Sequence, residues 1–297
     1  MSVEILTPFM IIFVMAVLIV RAICWGIARF WCRPVRILPK RTPADYKLPY
    51  EDIKFLSNGV SLKGWFIPVS MTAKKPPVIV LAHGWSSNAS SLLPLARVLN
   101  EAGFSLLLYD SRGHGTSSND GPITIRKMGE DLTSAVDYLR KRSDIDQSGI
   151  GVVGSSMGGS SAILAVSTDA RFKAAVTISA FASPKSITID FLTSLHLPRW
   201  PCHTLVFKSI EKWLGTTMSD VAPENRIGCI RVPLLLIHGD ADQYVSASNL
   251  EILWMRSSQV NTKYLRIYSR GHHDIIRDIG CGEAVSEFFH DHLKDSR

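Results

Sequence analysis

The chain has 297 residues, 46% hydrophobic and 20% charged, which suits one large globular domain with a small extra element and leaves no room for two full-sized domains. The formal net charge of +7 does not mark a nucleic-acid surface. Residues 1–41 hold Arg21, Arg29, Arg33, Arg36, Lys40 and Arg41 against Glu4 alone and so carry +5 of it, with no nucleic-acid motif beside them.

Five cysteines (Cys24, Cys32, Cys202, Cys229 and Cys281) are odd in number and never form a CxxC pair. This argues against a disulfide framework or a zinc site and fits a reducing compartment.

In chain order, Ile5 to Val20 is apolar apart from Thr7 and Pro8, and beyond Arg21 the apolar character continues to Trp31. A span from about Leu6 to Trp25 or Ile27 reaches the roughly 20 residues that cross a bilayer. Trp25 and Trp31 suit an interfacial belt, and Arg21 would snorkel to the interface. A signal peptide wants a basic leading region and a small-residue cleavage site, and neither is seen. Residues 1–32 are expected to be a transmembrane anchor. The Lys/Arg cluster that follows predicts that the rest of the chain faces the cytoplasm. Residues 33–49, rich in proline and charge, read as a linker.

Residues 50–57 and 61–69 read as strands joined by Asn58-Gly59, a hairpin signal. A polar turn is expected at Lys74–Pro77. Strands then follow at 78–82, 105–109, 150–153, 174–179, 232–237 and 264–268. Helices are expected at 92–102, 123–142, from 156 onward, 248–255 and 281–293. The expected fold class is α/β: a mostly parallel eight-stranded sheet with helices on both faces. Residues 181–230 break the alternation. They carry Phe181, Phe191, Trp200, Phe207 and Trp213, and read as an apolar helical cap inserted into a domain that spans 50–297.

The strongest chemical signal is Gly154-Ser155-Ser156-Met157-Gly158, a G-x-S-x-G between a strand and a small-residue helix. Its frame selects Ser156 as a nucleophile held on a sharp turn. A serine hydroxyl is weak at neutral pH and needs a base, which in turn needs an orienting carboxylate. Candidates lie after the last two strands, in His238-Gly239-Asp240-Ala241-Asp242-Gln243-Tyr244-Val245 and in Gly271-His272-His273-Asp274.

On these residues the sequence resembles the α/β-hydrolase superfamily, in its esterase, lysophospholipase and monoacylglycerol-lipase-like branch that overlaps the S33 serine aminopeptidases. The resemblance covers roughly residues 50–295. It implies a catalytic triad of Ser156, Asp242 and His272, with Asp240 and His273 as alternatives. It also implies an oxyanion hole formed by the backbone N–H groups of Met157 and of Trp85, the latter in the His83-Gly84-Trp85 segment. His83 is then a loop-stabilising residue. Asp110-Ser111-Arg112-Gly113-His114-Gly115 resembles a family turn whose role is structural.

The function expected is hydrolysis of a carboxylic ester or thioester, on a small-molecule ester or lipid-type substrate, with no metal, no cofactor and no nucleic-acid partner. A serine peptidase, a protein deacylase and an inactive hydrolase-fold binding module are the alternatives.

Overall fold

The computed structural model describes residues 3–69 and 75–294, so the turn expected at Lys74–Pro77 lies partly outside the described residues. Strand β1 (Glu51–Ser57) and strand β2 (Val60–Ile67) pair antiparallel with Ser57 opposite Val60. Asn58 and Gly59 between them have φ of 47° and 83°, the left-handed conformation that a two-residue hairpin turn requires.

Six further strands complete the sheet: β3 (Val78–Ala82), β4 (Ser105–Tyr109), β5 (Ile150–Ser155), β6 (Phe172–Ile178), β7 (Leu234–Gly239) and β8 (Thr262–Ile267). Their order is β1-β2-β4-β3-β5-β6-β7-β8. Strand β2 pairs antiparallel with β4, and from β4 to β8 all pairings are parallel. Strand β7 begins at Leu234 and not at the expected Val232, because Pro233 has no N–H to give the ladder.

Both faces of this sheet are buried. Along β3, Val78, Val80 and Ala82 join one core while Ile79 and Leu81 join the other, the alternation that a pleated strand imposes. The first core is closed by α3 (Ile125–Leu139), α4 (Met157–Val166) and α7 (Ser248–Arg256). The second is closed by α2 (Leu93–Glu101) and α8 (Ile279–Phe289). Every catalytic candidate lies beyond the C-terminal end of a parallel strand, the edge where open α/β sheets bind their ligands.

Two regions lie outside this sandwich. Between β6 and β7 the chain forms α5 (Pro184–Ser194) and α6 (Thr204–Leu214). At the N-terminus, α1 (Val3–Trp31) is a 29-residue helix with a 23-residue apolar stretch, Phe9–Trp31, of mean hydropathy 2.5. Phe9 to Phe13 are each 57–68% exposed. Five consecutive exposed positions mean that this part of the helix is bare all round. Further along, Cys24, Ala28 and Cys32 form an i, i+4 stripe packed on Leu192, Val206 and Ile210 of α5 and α6.

The stretch 33–49, read as a linker, is held down along its length. Val35 N–H donates to Ser86 Oγ at 2.9 Å, Asn88 Nδ2 donates to the Ile37 carbonyl at 3.0 Å, and Leu48 is buried.

Candidate active site

Ser156 stands at the junction of β5 and α4 with φ 53° and ψ −123°, a backbone conformation that a non-glycine residue rarely adopts. The turn is fixed from both sides: Ser156 N–H donates to the Ile178 carbonyl at 2.8 Å, and its own carbonyl accepts from Ser160 N–H at 3.0 Å. The motif demands glycine at position 158 because a Cβ there would collide with the backbone carbonyls of Ala82 and His83. This close approach of α4 to the end of β3 is what turns the Ser156 side chain out of the sheet.

The hydroxyl meets a base. His272 Nε2 lies 2.9 Å from Ser156 Oγ, and His272 Nδ1 lies 2.6 Å from Asp242 Oδ2. The carboxylate only accepts, so Nδ1 carries the proton and Nε2 is left free to take one from the serine. Asp242 is held from behind as well, its Oδ1 accepting the N–H groups of Tyr244 at 2.9 Å and Val245 at 2.8 Å. Burial works against its charge. Hydrogen bonds from His238, His272 and the Val245 N–H outweigh that and hold the carboxyl well below the usual range.

His238 is a partner that the sequence reading passed over. Its ring is buried, its Nε2 donates to the Val245 carbonyl at 2.9 Å, and the same nitrogen sits 3.4 Å from Asp242 Oδ2. It fixes the loop that presents the acid. The available signal was its place at the head of the His-Gly-x-x-Asp stretch.

The two alternative residues lie elsewhere. Asp240 Oδ1 accepts from Ser269 N–H at 2.7 Å on the exposed side of the loop. His273 bonds to neither Ser156 nor Asp242. Its ring packs against His272 and Tyr244 at centroid distances of 5.1 and 5.2 Å, and burial followed by the neighbouring His272 lowers its pKa.

On the opposite side of Ser156 runs the loop after β3. A Cβ on Gly84 would sit 2.9 Å from Ser156 Cβ and 3.4 Å from its Oγ, so the Gly84-Trp85 backbone passes directly beside Ser156. Among the described residues neither Trp85 N–H nor Met157 N–H donates to an acceptor, and both residues line the cavity above Ser156. Two such free donors are what a developing oxyanion needs.

The loop is braced by His83, whose Nδ1–H donates to the Gly84 carbonyl at 2.8 Å and whose Nε2 accepts from Ser111 N–H at 3.0 Å. Burial lowers His83 to about 4, so it is neutral at pH 7. Asp110 and Arg112 are also engaged in framework. Asp110 accepts from the N–H groups of Ala89 and Thr116, and Arg112 pairs with buried Asp131.

Above Ser156 and His272 lies a cavity of about 470 Å³, within the range of small-molecule sites. Ile123, Ile187, Ile210, Leu214 and Met218 are among its walls, and among the described residues no Asp, Glu, Lys or Arg is. Among the described residues no three His, Cys, Asp or Glu side chains converge to hold a metal ion.

A family profile described as serine aminopeptidase, S33, matches residues 73–227. The uncharacterized protein YfhR of Escherichia coli O157:H7 is 27% identical over 241 residues, which cover 77% of this chain and 78% of YfhR. A polyketide transferase of Penicillium is 30% identical over 135 residues, 44% of this chain and 45% of the transferase. Among solved structures, the Pyrococcus furiosus esterase Pf2001 superposes with a TM-score of 0.70 at 24% identity, covering 88% of this chain and 98% of the esterase. That last likeness is one of fold.

Proposed function

The chain belongs to the serine aminopeptidase S33 family of α/β-hydrolases, and from that membership we propose that it hydrolyses carboxylic esters or thioesters through an acyl-enzyme on Ser156. The observation that carries this reading is the unbroken relay Ser156 Oγ–His272 Nε2 at 2.9 Å and His272 Nδ1–Asp242 Oδ2 at 2.6 Å.

As Ser156 Oγ attacks the substrate carbonyl, its proton passes to His272 Nε2. Asp242 stabilises the imidazolium that results. The carbonyl oxygen becomes an oxyanion and is received by the N–H groups of Trp85 and Met157, each worth about 3 kcal/mol in the transition state. Collapse breaks the bond to the leaving oxygen or sulfur, which takes the proton back from His272. Water then repeats the cycle on the acyl-enzyme, with His272 again as base.

An ester or thioester fits this site better than a peptide terminus. An aminopeptidase must neutralise its substrate's ammonium group, and the described cavity walls present no carboxylate for that purpose.

Residues 1–32 act in this reading as the membrane anchor. An apolar side chain left in water forgoes about 1.5–3 kcal/mol, and the bare half of α1 exposes a run of them. The Lys/Arg cluster that follows supports a hydrolase domain on the cytoplasmic side in this reading. Protease added outside intact cells should leave the domain whole; its digestion there would reverse that orientation.

The decisive experiment on the chemistry is fluorophosphonate labelling beside turnover of p-nitrophenyl esters and aminoacyl-nitroanilides. Wild type is expected to label and to prefer esters. Ser156→Ala is expected to lose the label and at least a thousandfold in turnover. A folded wild type that does not label would mean a binding module, and nitroanilide turnover above ester turnover would mean a peptidase.

A further inference from the structure

The cavity above Ser156 is not enclosed by the hydrolase domain alone. Trp31 and Cys32, at the end of the apolar N-terminal helix, form part of its wall. Their position there is built in. The Trp31 indole stacks on Phe191 with centroids 4.0 Å apart and planes 13° from parallel, and its Nε1 donates to Thr188 Oγ1 at 3.2 Å. Two residues earlier, Arg29 lies over the rings of both Trp25 and Trp213, at 5.0 and 5.3 Å. Helix α1 is therefore two things in sequence: a stretch bare on all sides, then a stretch docked on α5 and α6 whose last residues face the reacting centre.

Trp200 is 81% exposed and Phe30 is 74% exposed, on the insertion and on α1 respectively. Aromatic rings placed this way sit well at the boundary between headgroups and acyl chains. The cavity thus runs from the Ser156 hydroxyl to the docked end of α1.

Resting on the Ser156 hydrolase reading, we propose that the last turn of α1 is a specificity-determining wall of the substrate site, and that the site takes the acyl chain of a single-chain lipid ester. The ester carbonyl sits between Ser156 and the Trp85 and Met157 N–H groups. The chain extends along Ile187, Ile210 and Met218 toward Trp31 and Cys32. The anchor then does more than fix the enzyme to a membrane, because it helps to choose which acyl chains are cut.

The test uses the full-length chain in detergent micelles. Cys32→Trp and, separately, Ile210→Trp fill the far end of the cavity. The ratio of kcat/KM for p-nitrophenyl palmitate to that for the acetate is expected to fall at least about tenfold in each, the equivalent of two methylenes losing their contacts. Reading a ratio cancels any loss of folded enzyme.

A second measurement needs no variant. A fluorophosphonate carrying a hexadecyl chain with a terminal diazirine is attached to Ser156 of the wild type and photolysed, and the crosslinked peptide is identified by mass spectrometry. Crosslinks to the peptide containing Trp31 and Cys32, or to that of α6, support the proposal. Unchanged ratios in both variants, or crosslinks confined to the loops after β7 and β8, overturn it. Absence of any label on Ser156 would instead sink the hydrolase reading beneath it.

Discussion

At the scale of single residues, the site distinguishes chemically identical neighbours by what their oxygens and nitrogens already hold. Asp242 receives two backbone N–H groups from its own loop and offers its other oxygen to His272, whereas Asp240 spends an oxygen on Ser269. Asp242→Asn is expected to lower kcat by about ten-thousandfold, because the amide stabilises the wrong imidazole tautomer. Asp240→Asn should stay within about threefold of wild type, as loop-surface changes do. Equal losses in steady-state assays of the two variants would contradict the assignment. The family resemblance favours Asp242 and leaves Asp240 as an alternative, since the choice between them depends on how the loop after β7 closes. The same holds for His272 and His273, adjacent in sequence and separated only by which ring faces Ser156. His238 was harder still: its place at the head of the His-Gly-x-x-Asp stretch marks it, but its role as a brace rests on the contact with the Val245 carbonyl.

Among elements, what local pattern decides was legible and what tertiary contact decides was not. The Asn58-Gly59 hairpin, strands β3 and β4 and the Ser156 turn follow from period, glycine and apolar runs. The pinning of residues 33–49 to the loop after β3 does not, because Val35 and Ile37 contribute backbone groups, which every residue has. The Asp110–Gly115 turn shows how such framework is held. Arg112, 1% exposed, gives three hydrogen bonds to Asp131 (through its backbone N, Nε and Nη2), which is itself fully buried on α3. Arg112→Met leaves that carboxylate without its cation, and should lower the free energy of unfolding by about 3–5 kcal/mol. Urea titrations of the two chains measure this. A loss below about 1 kcal/mol would mean that Asp131 is neutral in the folded state.

For the molecule as a whole, two buried imidazoles tie stability to pH. Burial lowers both His83 and His114 from 6.5 to about 4, His114 being pressed further by the neighbouring His83. Between pH 6.5 and about 4 the unfolded chain binds protons that the folded chain refuses. Their contribution is therefore intact above pH 6.5 and drains away as pH falls through that window. For His83 the full depression corresponds to about 3 kcal/mol. Urea midpoints of the full chain at pH 8, 6 and 5 should decline in that order, and a flat series would show that both rings titrate in the fold as they do in the unfolded chain. The bond from Val35 N–H to Ser86 Oγ has a different kind of consequence. Ser86 directly follows Trp85, whose amide is proposed to receive the oxyanion, and its φ of 50° is one that serine does not hold without support. A domain severed between residues 36 and 40 to make it soluble would give up that support along with its greasy tail. Purification by trimming would therefore yield a slackened enzyme, and its sluggishness would be a scar of the cut.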